Sequence, residues 1–203
     1  MATISIPQSR SMKSELYFAG IFILVMWLVF FVDAFIPAHL NSWGVYPRSF
    51  RGLMGIPLMP FLHGGFSHLF SNTVSLGILM FLLVGSQKNH WPIVGAIILI
   101  NGALVWLLAR SVSGEGALMN HIGASGLVFG LMGFLILNGF LEKRLVSIGV
   151  ALLVGFLFGG TMISGIIPKI NSQVSWEGHL FGVVAGAAVA YFMSEKGKAL
   201  SWR

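Results

Sequence analysis

Apolar residues in this chain fall in long unbroken runs and do not alternate with polar ones. Six runs cover residues 17–36, 68–84, 91–108, 125–140, 145–167 and 178–193. Each reaches or approaches the roughly 20 apolar residues that a helix needs to cross a bilayer. Only helices and closed barrels satisfy every backbone group in lipid, and barrel strands would alternate. The pattern therefore predicts an all-α polytopic membrane protein, a bundle of six transmembrane helices. The second, fourth and sixth runs are the shortest and carry polar residues at their starts, so their outer ends should be recessed and wet.

The breaks between runs refine this picture. Residues 87–90 and 142–144 are tight charged turns. Residues 37–62 form a much longer first loop containing Pro37, Pro47, Pro57 and Pro60. Within it, residues 50–56 are too short to span and too apolar for water, which predicts a partly membrane-embedded segment at headgroup level. The expected organisation is a cytoplasmic segment over 1–15, one membrane domain over 16–195 and a cytoplasmic tail over 196–203. The first apolar run is longer than a signal-peptide core and lacks a small-residue cleavage site, so it reads as a retained span.

Composition agrees with the membrane class. Of 203 residues 56% are hydrophobic and 9% charged, against about 25% charged in soluble domains. There is no cysteine, which excludes disulfides, thiolate metal sites and a cysteine nucleophile. The net charge of +6 is scattered over segment ends, which points to anionic lipid headgroups and not to nucleic acid. Arg10, Lys13, Lys88, Lys143, Arg144, Lys196, Lys198 and Arg203 fall on the side of the termini, and Arg48, Arg51, Arg110 and Lys169 on the other. This bias puts both termini in the cytoplasm, as in a bacterial inner-membrane protein. Trp91, Trp106 and Trp176 sit near span ends, as interfacial anchors do.

With that orientation, the second, fourth and sixth spans descend from the outer face. Their polar residues, His68 and Asn72, Ser125, and His179, then share one shallow depth. Polar groups at lipid depth are costly unless they pair or do work. Gly126 and Gly130 on one span, and Gly178, Gly182 and Gly186 on another, allow close backbone approach. Such packing would bring the Ser125 hydroxyl to the His179 ring as nucleophile and base. His68 and Asn72 lie four residues apart, on one helix face, and with the Ser125 N–H they could cradle an oxyanion. Glu177 lies on the wrong face to orient His179, so the expected pair has no carboxylate. Gly123-Ala124-Ser125-Gly126 taken alone reads more readily as a small-residue packing motif, and it is not the serine elbow of soluble hydrolases. His39, His63 and His121 read as loop or interface residues, and Arg110 as a snorkelling cation. No third ligand accompanies His63 and His68 at a metal-binding spacing, so no metal and no cofactor are expected.

At these residues the chain resembles the rhomboid intramembrane serine proteases. Three ordered motifs carry the likeness: His63-Gly64-Gly65-Phe66-Ser67-His68-Leu69-Phe70-Ser71-Asn72, Gly123-Ala124-Ser125-Gly126, and Gly178-His179-Leu180-Phe181-Gly182-Val183-Val184-Ala185-Gly186. The resemblance implies Ser125 as nucleophile, His179 as base, and His68 and Asn72 as oxyanion donors. Gly123, Gly126, Phe129 and Gly182 would support the site. It implies cleavage of single-span membrane proteins near the outer face without a cofactor. Many members carry tyrosine where this chain has Phe129, which keeps stacking on the histidine but loses a hydroxyl. Some members also carry an adjacent Trp-Arg pair in the first loop, whereas here Trp43 and Arg48 are apart. The alternative is a non-catalytic relative of the same fold that binds transmembrane clients. A transporter or channel is disfavoured, because the polar residues cluster on one side. The sequence leaves the oligomeric state and the natural substrate open.

Overall fold

The computed structural model describes residues 11–36, 39–113, 116–168 and 175–194. The expected N-terminal segment up to residue 10, the tail over 196–203, and Pro37, Glu115 and Lys169 lie outside them.

The described chain is all helical, with no strand. It contains α1 Met12–Phe35, α2 Phe50–Leu58, α3 Phe66–Ser86, α4 His90–Leu108, α5 Ser125–Glu142, α6 Leu145–Ile166 and α7 Trp176–Met193, with 3-10 turns at Leu40–Trp43 and Met59–Phe61. Five of these, α1, α3, α4, α5 and α6, are long and apolar enough to cross a membrane. The sixth expected span corresponds to α7, which has 18 residues. It falls outside that set, and its first turn carries Trp176, Glu177 and His179. The short apolar segment at 50–56 folds as α2.

Local chemistry sets the helix starts. Ser11 caps α1, accepting from the Ser14 N–H at 3.3 Å, so α1 begins ahead of its apolar run. Ser49 caps α2 through the Gly52 N–H at 3.0 Å, and Ser175 caps α7 through the Gly178 N–H at 3.0 Å. Between α5 and α6 the chain turns at Lys143, which takes a left-handed φ of 54°.

Helix α5 is the axis of the bundle, with 67% of its residues buried inside the protein against 11% for the apolar window of α1. Leu127, Leu131, Met132, Phe134 and Leu135 of α5 share a core with Leu76, Leu79 and Leu83 of α3 and with Ile93 and Ile97 of α4. On its other side α5 meets α7 backbone to backbone. A Cβ at Gly186 would collide with the Gly130 carbonyl oxygen, one at Gly182 with the Gly126 carbonyl, and one at Gly133 would lie 2.6 Å from the Val183 carbonyl. Helix α1 joins the bundle through α3, where Trp27 Nε1 donates to Thr73 Oγ1 at 3.0 Å.

The first loop is bound to the rest of the bundle at the α5 and α7 N-terminal end. Val45 and His121 exchange backbone hydrogen bonds at 3.0 and 2.9 Å. Arg48 Nη1 donates to the carbonyls of Leu107 and Ala109, each at 2.9 Å, and Nη2 to Ser111 Oγ. Asp33 accepts from the Leu40 N–H.

Candidate active site

A tight turn delivers Ser125 to the first position of α5. Gly123 takes a φ of +111°, where side chains are strained, and a Cβ there would lie 2.5 Å from His68 Cε1. Glycine is thus required by both backbone and neighbour. The turn is pinned by the Gly123 N–H donating to the Met59 carbonyl at 2.9 Å. As the first residue of α5, Ser125 has a backbone N–H without an intrahelical acceptor. It lies at the positive end of the helix dipole, where an anion is favoured.

His179 is buried in the first turn of α7. Its Nδ1 lies 3.0 Å from the Gly165 carbonyl oxygen of α6. A carbonyl only accepts, so Nδ1 carries the proton and Nε2 presents its lone pair. Phe129 stacks on the imidazole with centroids 4.0 Å apart and planes 4° from parallel. Gly165 leaves room for both rings, since a Cβ there would strike Phe129 and come within 3.2 Å of His179 Nδ1. The ring is therefore clamped on one face and at one nitrogen. A Cβ at Gly126 would stand 3.4 Å from the Gly178 carbonyl. The residue after Ser125 and the residue before His179 are thus neighbours, and the two N-terminal turns lie side by side.

Asn72 is buried, and its Nδ2 lies 3.1 Å from His63 Nε2. That nitrogen also accepts from the Ala124 N–H at 3.4 Å. His63 was expected to be a loop or interface residue. It does lie in the loop before α3, but it is 1% exposed and joins Asn72 to the turn that carries Ser125. Its other nitrogen, Nδ1, is buried without a hydrogen bond, and burial lowers its pKa to about 4. His63 is therefore neutral. Its ring stands edge-on to His68, with centroids 5.1 Å apart. The one available signal for His63 was its place beside His68 in the same glycine-rich stretch. Asn101 of α4 is also buried against this turn. Its amide occupies the space a Cβ at Gly126 would need, and neither of its polar atoms is bonded.

The start of α7 is held by a polar clasp that the sequence did not reveal. Arg110 was expected to snorkel to headgroups. It instead pairs with buried Glu177 through Nε, and through Nη2 to Oε2 at 3.1 Å, and its guanidinium lies over the Trp176 ring at 5.8 Å. His121 Nε2 donates to the Arg110 carbonyl at 3.3 Å, so its Nδ1 accepts from Ser175 Oγ at 2.7 Å. Burial lowers the His121 pKa, in keeping with this neutral form. The same Ser175 oxygen caps α7. Glu177 is committed to Arg110, so the group on His179 Nδ1 is a backbone carbonyl and not a carboxylate. Among the described residues no three His, Asp or Glu side chains are grouped to hold a metal.

A bundle of apolar helices with two adjoining polar turns at one end defines the class: a helical integral membrane protein. Comparison with known proteins gives the family. The Rhomboid domain matches residues 51–196. An uncharacterised protein of Mycobacterium tuberculosis is 36% identical over 176 residues, 85% of this chain and 72% of that one. A second from Mycobacterium leprae is 33% identical over 177 residues, 85% and 69% of the two chains. RHOMBOID-like protein 5 of Arabidopsis thaliana is 29% identical over 130 residues, 62% of this chain and 40% of that one. The chain belongs to the rhomboid family.

Proposed function

We propose that this protein is an intramembrane serine endopeptidase acting through a Ser125–His179 dyad. The observation that carries the reading is the state of His179. Its Nδ1 proton is spent on the Gly165 carbonyl, which leaves Nε2 as a base in the α7 turn that adjoins the turn of Ser125. In this reading six helices span the membrane, α7 included, with both termini cytoplasmic and the site in the outer leaflet. A single-span substrate approaches laterally and unwinds near its outer end, because a helical amide is already hydrogen-bonded and shielded.

The chemistry then follows from the groups present. Ser125 Oγ attacks the scissile carbonyl as His179 Nε2 takes its proton. The developing oxyanion is met by the Ser125 N–H and by donors from His68 and Asn72. Asn72 has two amide hydrogens, and one is held by His63. The imidazolium gives its proton to the departing amine, and water from the outer face hydrolyses the acyl-enzyme with His179 again as base. The Gly165 carbonyl stabilises the imidazolium by a neutral hydrogen bond, the role a carboxylate plays in a triad.

The test is cleavage of a labelled single-span substrate by purified protein. Ser125→Ala and His179→Ala should each reduce turnover at least about a thousandfold. Wild-type rates in either variant would overturn the mechanism. Labelling of Ser125 by a fluorophosphonate, lost in His179→Ala, separates this enzyme from a non-catalytic client-binding relative.

A further inference from the structure

A cleft of about 340 Å³ opens between the first loop and the segment after α4, lined by Tyr46, Pro47, Ser49, Arg51, Ser111, Leu118 and Met119. It is separate from the serine–histidine site. None of its lining residues among those described is acidic. We infer that this cleft binds the phosphate diester of an anionic phospholipid, with Arg51 as the recognising cation.

Arg51 is prepared for such a ligand. Its Nη2 donates to the Ser42 carbonyl and to Ser42 Oγ, both at 3.1 Å. Its guanidinium lies over Trp43 at 5.5 Å and Tyr46 at 5.9 Å. The plane is thus fixed from one edge and one face, while Nε and Nη1 have no acceptor among the described residues. A planar cation held in this way loses little freedom on meeting a phosphate, and it offers the forked geometry that two phosphate oxygens accept. Arg48 makes the contrast. Both its terminal nitrogens are spent on Leu107, Ala109 and Ser111, so it adds positive field beside Ser111 without being available to a ligand. The Trp–Arg partnership that looked broken between Trp43 and Arg48 is made by Arg51 instead.

The rim supplies the other half of an amphiphile's requirements. Leu118, on the cleft wall, is 75% exposed, and Tyr46, Pro47 and Met119 line the cleft with it. A largely apolar lining beside a guanidinium that keeps Nε and Nη1 for a ligand suits a molecule with an anionic head and hydrocarbon tails. Inorganic phosphate would leave the rim unused, and a zwitterionic headgroup would cancel much of the charge attraction.

The experiment is native mass spectrometry of the full-length protein in neutral detergent, titrated with dioleoyl phosphatidylglycerol, dioleoyl phosphatidylcholine or inorganic phosphate. Wild type should retain one phosphatidylglycerol in preference to phosphatidylcholine. Arg51→Gln, at an exposed position, should weaken phosphatidylglycerol about tenfold, the loss of one charge-assisted pair. Leu118→Ser, on the opposite wall, should weaken it a few-fold. The inference fails if Arg51→Gln binds as wild type does, if the two lipids bind alike, or if inorganic phosphate binds as tightly as the lipid. Proteolysis is not read, so failure here leaves the proposed dyad untouched.

Discussion

Four glycines of α6, Gly165 at its end excepted, and those of the α5–α7 seam are the same residue put to opposite ends. At Gly149, Gly155, Gly159 and Gly160 of α6 an added Cβ would meet nothing within 4 Å. At Gly126, Gly130, Gly182 and Gly186 it would meet a backbone carbonyl or a buried side chain. The lipid-facing wall carries glycine that packing does not require, whereas the seam can exist only because glycine is there. Close backbone contact brings the two N-terminal turns into register, and those turns carry Ser125 and His179. Glycine count therefore says little about a membrane helix, and what lies opposite each glycine says a great deal.

The largest effect should come from breaking the seam. Gly186→Leu drives a side chain into the Gly130 carbonyl, an obstacle that cannot rotate away. We expect a loss of about 3 kcal/mol or more, seen as aggregation in detergent or a collapsed thermal transition, together with loss of cleavage. Normal folding and activity in this variant would mean that the helices are not in backbone contact.

The clasp at the head of α7 tests whether the seam needs outside support. Arg110→Met removes the partner of a carboxylate that is only 4% exposed, while the Arg110 side chain itself is 34% exposed. Leaving that charge buried should cost about 2–3 kcal/mol, less than for a fully buried pair. Glu177→Gln removes the charge and leaves a half-exposed arginine, which should cost about 1 kcal/mol. Equal losses from the two, measured by thermal unfolding in the same detergent, would contradict the asymmetry of the pair.

These two regions also show what a sequence can reveal. The positions of α1, α3, α4, α5 and α6, and the registers of Ser125, His179, His68 and Asn72, follow from apolar run length and from spacing within single segments. Phe129 over His179 was legible only through the family resemblance, which places an aromatic residue four positions after the serine against the histidine. The clasp was not legible. Arg110 and Glu177 are 67 residues apart, and both looked like ordinary charges at span ends. The Gly165 carbonyl that fixes the His179 tautomer is a backbone atom, which no side-chain pattern announces. His63 was read as a loop residue, which it is, but a histidine in a proline- and glycine-rich loop carries no sign that the loop folds under α5. Arg51 reaches Trp43 because of the turn that precedes α2, a geometry that adjacency in sequence does not describe.

His63 sharpens the comparison from the seam's other flank. Its folded pKa is near 4 against an ordinary 6.5, so as the pH falls below about 6.5 the unfolded chain takes the proton first. Stability should decline from there and level off near pH 4, by about 1–3 kcal/mol over the window. His63→Gln should flatten that slope while leaving the unfolding temperature at pH 8 little changed. A slope unaffected by the substitution would place the acid sensitivity elsewhere.

The smallest effect should come from the α6 wall, and its sign matters more than its size. Gly159→Ala adds a methyl where there is open space and removes backbone freedom from the unfolded chain. In a helix interior that exchange is worth about 0.5–1 kcal/mol in favour of alanine. Gly159→Ala should therefore raise the unfolding temperature slightly and leave cleavage unchanged, where the same substitution at Gly182 abolishes both. Loss of activity at Gly159 with stability intact would show that α6 has work of its own on this face, such as meeting an incoming transmembrane segment. The division between a glycine-dependent seam and an indifferent wall would then fail at that position.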